Sequence, residues 1–132
     1  MIKYLLDTNI CAYFLNGKFD LVETIERKGF EHCAVSEITI AELKYGAEKS
    51  LYKEKNRKVI ELFQQQFNVL PIFSALDIYA KEKARLKIKG MMLDDFDLLI
   101  GSTAIFNNLI VVTKNRSDFE RMEQIKIEDW TA

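Results

Sequence analysis

Ile2-Lys3-Tyr4-Leu5-Leu6-Asp7-Thr8-Asn9 is the stretch on which the fold turns. A short apolar run ends on a carboxylate and two small polar residues, the pattern of a buried strand that stops at a sheet edge. An acid there adds nothing to a core and costs desolvation energy, so it either caps the next helix or serves a site. Thr8 or Asn9 is the expected cap of that helix. Its apolar residues Ile10, Ala12, Tyr13 and Phe14 run to a break at Asn16-Gly17.

The same alternation repeats outward. A second helix is expected from about Asp20 to Arg27, ending at Gly29, before a strand at His32-Cys33-Ala34-Val35. Ser36 is a good N-cap for a helix that carries Glu42 and reaches Lys44 to Glu48. From Lys53 to Phe67 the spacing of Val59, Leu62, Phe63 and Phe67 predicts a long amphipathic helix. Val69-Leu70-Pro71-Ile72 reads as a short strand, and Pro71 puts it near an edge. Ser74-Ala75-Leu76-Asp77 resembles a capping box for a helix to about Ile88, closed by Gly90. Asp94 or Asp95 caps the helix through Asp97, Leu98, Ile100, Ala104 and Ile105. Leu109 to Thr113 is a buried strand, and Ile125 to Trp130 adds a last short one. Strands alternating with helices require crossover connections, so the predicted class is α/β: a central, mostly parallel β-sheet flanked by α-helices, in one domain spanning 1–132.

Composition narrows the function classes only slightly. A charged fraction of 30% against 48% hydrophobic, with one Pro and five Gly, describes a well-structured globular chain and excludes a disordered one. The net charge of −1 is not that of a typical nucleic-acid binder, although an acidic metal site lowers the net charge of any nuclease. Cys11 and Cys33 are too few for a disulfide scaffold and read as reduced, buried thiols. The first strand begins at once, leaving no signal peptide, and no apolar run nears the roughly 20 residues of a membrane helix. The expectation is a cytoplasmic protein without membrane contact.

Asp7, Glu42, Asp97 and Asp118 lie far apart in sequence but at similar structural addresses. Each falls at a strand end or in the first turns of the following helix, and in a parallel sheet these addresses converge on the crevice beyond the carboxyl edge. Clustered carboxylates repel unless a cation neutralises them, and a hard divalent ion, Mg2+, is the expected one. Its commonest use is phosphodiester cleavage. Each acid has a plainer reading: a cap for Asp7, an exposed ion pair for Glu42, the helix dipole for Asp94, Asp95 and Asp97, a last helical turn for Asp118. Glu37 reads as a surface residue.

Thr8, Asn9, Thr113 and Asn115 are candidate partners of the carboxylates, and Lys114 and Arg116 are the basic residues best placed to meet phosphates, beside the site. Lys81, Lys83, Arg85, Lys87 and Lys89 form mainly a solvated face, of which one or two could meet phosphates. His32, the only histidine, is read as structural, which excludes a two-histidine acid–base mechanism. No Gly-rich phosphate loop, CxxC, HExxH or GxSxG occurs.

Leu5-Leu6-Asp7-Thr8-Asn9, Ala41-Glu42-Leu43-Lys44-Tyr45-Gly46, Asp97-Leu98-Leu99-Ile100-Gly101 and Val112-Thr113-Lys114-Asn115, in this order, resemble the PIN-domain family. The resemblance is closest to the VapC-type toxins of toxin–antitoxin systems and covers essentially the whole chain, including the ending Ile127-Glu128-Asp129-Trp130. It implies a Mg2+- or Mn2+-dependent endoribonuclease that cleaves RNA with a metal-activated water, is usually a homodimer, and is neutralised by a small VapB-type antitoxin. By the same resemblance Asp7 and Asp97 are metal ligands, Glu42 completes the site, and Asp118 matches a less constant fourth acid. The family's fourth block usually has an early Asp where Lys114-Asn115-Arg116 stands here, so Asp94 or Asp95 remains an alternative source of that acid.

Three functions are therefore weighed: the ribonuclease toxin acting on tRNA or rRNA, a catalytically silent PIN-like RNA-binding or protein-interaction module, and a hydrolase of small phosphate esters. The helix Lys53 to Phe67 and the segment Ile10 to Phe14 are expected to contribute to self-association or to an antitoxin groove.

Overall fold

In the computed structural model, which describes residues 1–132, five short strands form one wholly parallel sheet. They are β1 (Tyr4–Leu6), β2 (Cys33–Ser36), β3 (Asn68–Leu70), β4 (Ile110–Val112) and β5 (Lys126–Glu128), in spatial order β3-β2-β1-β4-β5. The helices are α1 (Thr8–Leu15), α2 (Leu21–Lys28), α3 (Glu37–Glu48), α4 (Lys53–Gln66), α5 (Leu76–Lys89), α6 (Asp95–Phe106) and the single turn α7 (Arg116–Phe119). The expected α/β architecture is present, more completely parallel than the sequence required. From central β1 the chain builds one way to β2 and β3, then returns to place β4 on the other side. The gap between the carboxyl ends of β1 and β4 is thus the topological switch point, where α/β sheets open a crevice.

Alternation along the strands sorts the core. Leu6, Val35 and Val112 face a cluster with Ile10, Cys11, Phe14, Leu21, Ile25, Phe63 and Phe67. Leu5, Ala34 and Val111 face the opposite cluster, with Ile100, Ala104, Leu109 and Phe119. Both faces are covered, which is why the strands read as continuous apolar runs. No helix is long and apolar enough to cross a membrane.

Several local expectations change. Asp7 itself caps α1, its carboxylate accepting from Ile10 N–H, so neither Thr8 nor Asn9 takes that role. Phe73–Ala75 forms a 3-10 turn leading into α5, and no side chain caps that helix, so the Ser74 capping box does not form. On α4 the buried residues are Ile60 and Phe63, followed by Phe67 at its end, whereas Leu62 is 62% exposed because it lies off that stripe. The third strand is shifted to Asn68–Leu70 and, at the sheet edge, stops before Pro71. Glu37 is exposed yet not idle: its carboxylate accepts from Ile72 N–H at 2.9 Å, tying α3 to the exit of β3. The tail is latched by Trp130, whose ring meets Tyr4 edge to face at 4.9 Å.

Candidate active site

The site begins with Asp7, 4% exposed at the end of β1. Its Oδ1 accepts from Ile10 N–H at 2.9 Å and its Oδ2 from the Thr113 hydroxyl at 2.5 Å. Its own N–H donates to Val112 O, so both the backbone and the side chain of Asp7 bridge the switch point to β4. Thr113 Oγ1 in turn accepts from Asn115 N–H at 2.9 Å, which fixes the hydroxyl's orientation. Burial pushes the Asp7 carboxyl above its ordinary range; the Thr113 and Ile10 bonds oppose this, and the charge of Glu42 adds to it.

Glu42, on α3, accepts at Oε1 from the Thr8 hydroxyl at 2.6 Å, and Thr8 Oγ1 lies 3.0 Å from Thr39 Oγ1. Asp97 occupies the first turn of α6, half-buried. Its pKa is raised to about 6, chiefly by burial and then by the charges of Asp94, Asp7, Glu42 and Asp118 in that order of size. Asp97 therefore lies in the field of all three other predicted acids. Asp118, on α7, accepts from Asn115 Nδ2 at 2.6 Å and lies 3.6 Å from the Arg121 guanidinium.

The neighbouring acids separate cleanly. Asp94 caps α6 through Phe96 N–H at 3.1 Å. Asp95 is turned to α5, accepting from Lys83 at 2.8 Å and from the Tyr79 hydroxyl at 2.9 Å. It takes no part in the cluster. Asn9 is exposed at the mouth of the site. Arg116 reaches Ile127 O at 3.4 Å and Glu120 at 3.5 Å, so it is partly engaged in holding β5. Lys114 is exposed beside Thr113, its Nζ 4.7 Å from the Phe19 ring centroid. On α5, Lys83 and Arg85 are spent on Asp95 and Glu82, while Lys81, Lys87 and Lys89 face solvent. His32 Nδ1 contacts Met1 O at 2.6 Å, at the amino end of the sheet and away from the acids. Cys11 and Cys33 are free and buried, and burial pushes the Cys11 thiol well up and Cys33 to about 11.

Two supports were not legible beforehand. Thr39 backs Thr8, and Arg121 donates to Met92 O at 2.7 Å while facing Asp118, joining the loop before α6 to α7. The i, i+3 spacing of Asp118 and Arg121 was the available signal.

The donors are all carboxylate and hydroxyl oxygens, the set preferred by a hard divalent cation. They surround Asp97 electrostatically, yet no three Asp, Glu, His or Cys side chains stand together as a ready-made metal cage. Beside the acids runs a groove of about 1020 Å³ between α1, α3 and α4. Its lining includes Thr8, Glu42 and Phe96, the apolar Leu15 and Val59, and Lys55. The predicted elements do border a groove, but Ile10 and Phe14 face the core while Ala12 and Leu15 face the opening.

The PIN domain model matches residues 4–125. The chain is 37% identical over 131 residues to the tRNA(fMet)-specific endonuclease VapC of Salmonella typhimurium, covering 98% of this chain and 99% of that one. It is 33% identical over 132 residues to Ribonuclease VapC2 of Rickettsia felis, with 96% and 97% covered. Its fold superposes on a chain of the DNA-bound VapBC from Salmonella typhimurium with a TM-score of 0.92 at 37% identity, covering 98% and 99%. With the four acidic blocks in place along a matching fold, the chain belongs to the PIN-domain family, in its VapC branch.

Proposed function

We propose that this chain is a metal-dependent endoribonuclease, the toxin of a VapBC-type toxin–antitoxin pair acting in the cytoplasm. The observation that carries the proposal is the placement of Asp7 just after β1, pinned across the switch point by Thr113, with Asp97 in α6 feeling the charges of Asp7, Glu42 and Asp118. Endonuclease and ribonuclease activities named for relatives of matching length support it. The tRNA specificity of the Salmonella protein makes initiator tRNA the first substrate to try.

Asp7 and Asp97 would hold Mg2+, or Mn2+, with Glu42 and Asp118 completing the acidic surround. The bound ion supplies an acidified water at neutral pH and charge stabilisation for the phosphoryl oxygens. Asp7 is held by two hydrogen bonds and so keeps one orientation. No hydrogen bond engages the Asp97 carboxylate, which leaves it free to ligate. Glu42 is aimed by Thr8 and Asp118 by Asn115, so these two acids are each supported on their own side. Lys114 and Arg116 stand where they can meet the RNA backbone.

The groove between α1, α3 and α4 is the proposed antitoxin seat. Its apolar lining suits the apolar face of a partner helix, and it shares Glu42 with the acidic site. A partner bound there restricts access to the acids. A homodimer is expected as the toxin's own state. Incubation of purified, antitoxin-free chain with initiator tRNA in Mg2+, Mn2+ or EDTA tests the proposal; discrete metal-dependent fragments support it. RNA binding with no cleavage in either metal instead assigns the chain to the silent-module class.

A further inference from the structure

The loop between α1 and α2 presents an aromatic side chain that the acid cluster does not use. Phe19 is 41% exposed. Its backbone sits at φ 58°, and Asp20 follows at φ 54°. Successive non-glycine residues in the left-handed region are uncommon, and a bulky one is strained there, a feature that concentrates at functional sites. The Phe19 ring meets Tyr13 edge to face with centroids 5.0 Å apart. Lys114 Nζ lies 4.7 Å from the Phe19 centroid and 5.9 Å from that of Tyr13.

These three residues adjoin the catalytic edge through two routes. Lys114 follows Thr113, whose hydroxyl is bonded to Asp7. Tyr13 lies five residues along α1 from Thr8, roughly 8 Å by helical rise. We propose that Phe19, Tyr13 and Lys114 form a subsite for one unpaired nucleotide of the RNA beside the cleaved bond, Phe19 stacking on its base and Lys114 meeting its phosphate. This rests on the ribonuclease reading above.

Recognition of single-stranded RNA pairs aromatic faces with nearby cations in this way, because every base offers a π-face and every linkage a charge. A core role does not account for Phe19, which stays well exposed even with Lys114 beside it. Lys114 is also the less committed of the two cations near Asp7. Arg116 is engaged by Ile127 O and Glu120. The acid that feels both cations, Asp129, is held below its ordinary range first by its bond from the Thr131 hydroxyl and only then by Lys114 and Arg116. The aromatic pair therefore keeps an ammonium on the residue next to Thr113, whose hydroxyl bonds Asp7.

The test uses the full chain carrying Asp97→Asn, so that bound RNA stays intact, and a fluorescently labelled oligouridine. Phe19→Ala should weaken binding by about 5- to 150-fold. Lys114→Met should weaken it and flatten its salt dependence. Phe19→Trp should retain binding, and its indole emission in excess of the Trp130 emission of the parent Asp97→Asn chain should fall as oligouridine is added but not with duplex RNA. That variant decides the matter even where Phe19→Ala fails to fold. Unchanged affinity in Phe19→Ala, or unmoved Phe19→Trp emission at saturating oligouridine, overturns the subsite. Cleavage by the unmodified chain is scored separately. Quenching without any RNA cutting upholds the nucleotide subsite and refutes the nuclease, whereas cutting without quenching does the reverse.

Discussion

Asp97→Asn should stabilise the metal-free protein above pH 6 while abolishing cleavage, and the two effects have one cause. The Asp97 carboxyl titrates near 6 in the folded chain against an ordinary 3.8, chiefly through burial and then through the charges of Asp94, Asp7, Glu42 and Asp118. A raised folded-state pKa means that the folded protein binds the proton more tightly than the unfolded one. The associated stability is present below about pH 4, is lost as pH rises through 6, and stays lost above it. At about 1.4 kcal/mol per pH unit the difference is at most about 3 kcal/mol, and partial solvent access of Asp97 reduces it to about 1–2 kcal/mol. Asparagine carries no charge, so the substitution removes this cost at neutral pH and changes little near pH 4. Thermal unfolding in EDTA should show a midpoint raised by roughly 4–8 °C at pH 8, with the gain fading toward pH 4. Added Mn2+ should raise the midpoint of the native chain and leave the variant behind, because an ion that binds only the folded state stabilises it by mass action. A variant that is less stable than the native chain at pH 8, or equally shifted at both pH values, would falsify the electrostatic reasoning.

Other outcomes follow from the same contacts. Thr113→Val removes the hydroxyl that bonds Asp7 and orphans Asn115 N–H; it should lower RNA cleavage by roughly 10–100-fold and cost about 1–3 kcal/mol in urea unfolding, and native-like activity would show that Asp7 needs no such support. Phe63→Ala empties a fully buried position among Phe14 and Phe67 and should cost about 3–5 kcal/mol by denaturant titration; a loss under about 1 kcal/mol would contradict the packing described. Cys11 and Cys33, buried and with raised pKa values, should react with a thiol reagent only on unfolding, and rapid labelling of the folded chain would refute their placement. Ala12→Glu puts a charge into the groove beside α4 and should disrupt antitoxin binding while sparing RNA cleavage; undiminished antitoxin affinity would move the seat elsewhere.

What the sequence revealed, and what it concealed, follows from how each feature is encoded. Strand runs such as Leu5-Leu6 and Val111-Val112 are buried on both faces, so hydrophobicity alone marked them and their order implied a parallel sheet. Asp7 was legible because a carboxylate directly after such a run has few explanations, a cap or a site; that it does both at once, bonded by Ile10 N–H and by Thr113 106 positions away, was not. Asp94 and Asp95 looked equivalent on paper. Only the position of Tyr79 and Lys83 on α5 draws Asp95 out of the cluster. The Ser74 capping box failed because a 3-10 turn occupies the residues that would have formed it. On α4 both Val59 and Leu62 fit a helical stripe, and the aromatic cluster of Phe14, Phe63 and Phe67 chose the stripe through Ile60 instead. Phe19 gave no signal at all, since an aromatic residue in a polar loop reads as a core residue until its exposure is known.

The most direct test of the central claim is digestion of total cellular RNA by the purified, antitoxin-free chain, in Mg2+, Mn2+ or EDTA, beside Asp7→Asn. The account predicts discrete fragments that require the metal and vanish in the variant, with end mapping to identify the RNA that is cut. A folded chain that cuts nothing in either metal, or cuts equally well in EDTA and with Asp7→Asn, would contradict it.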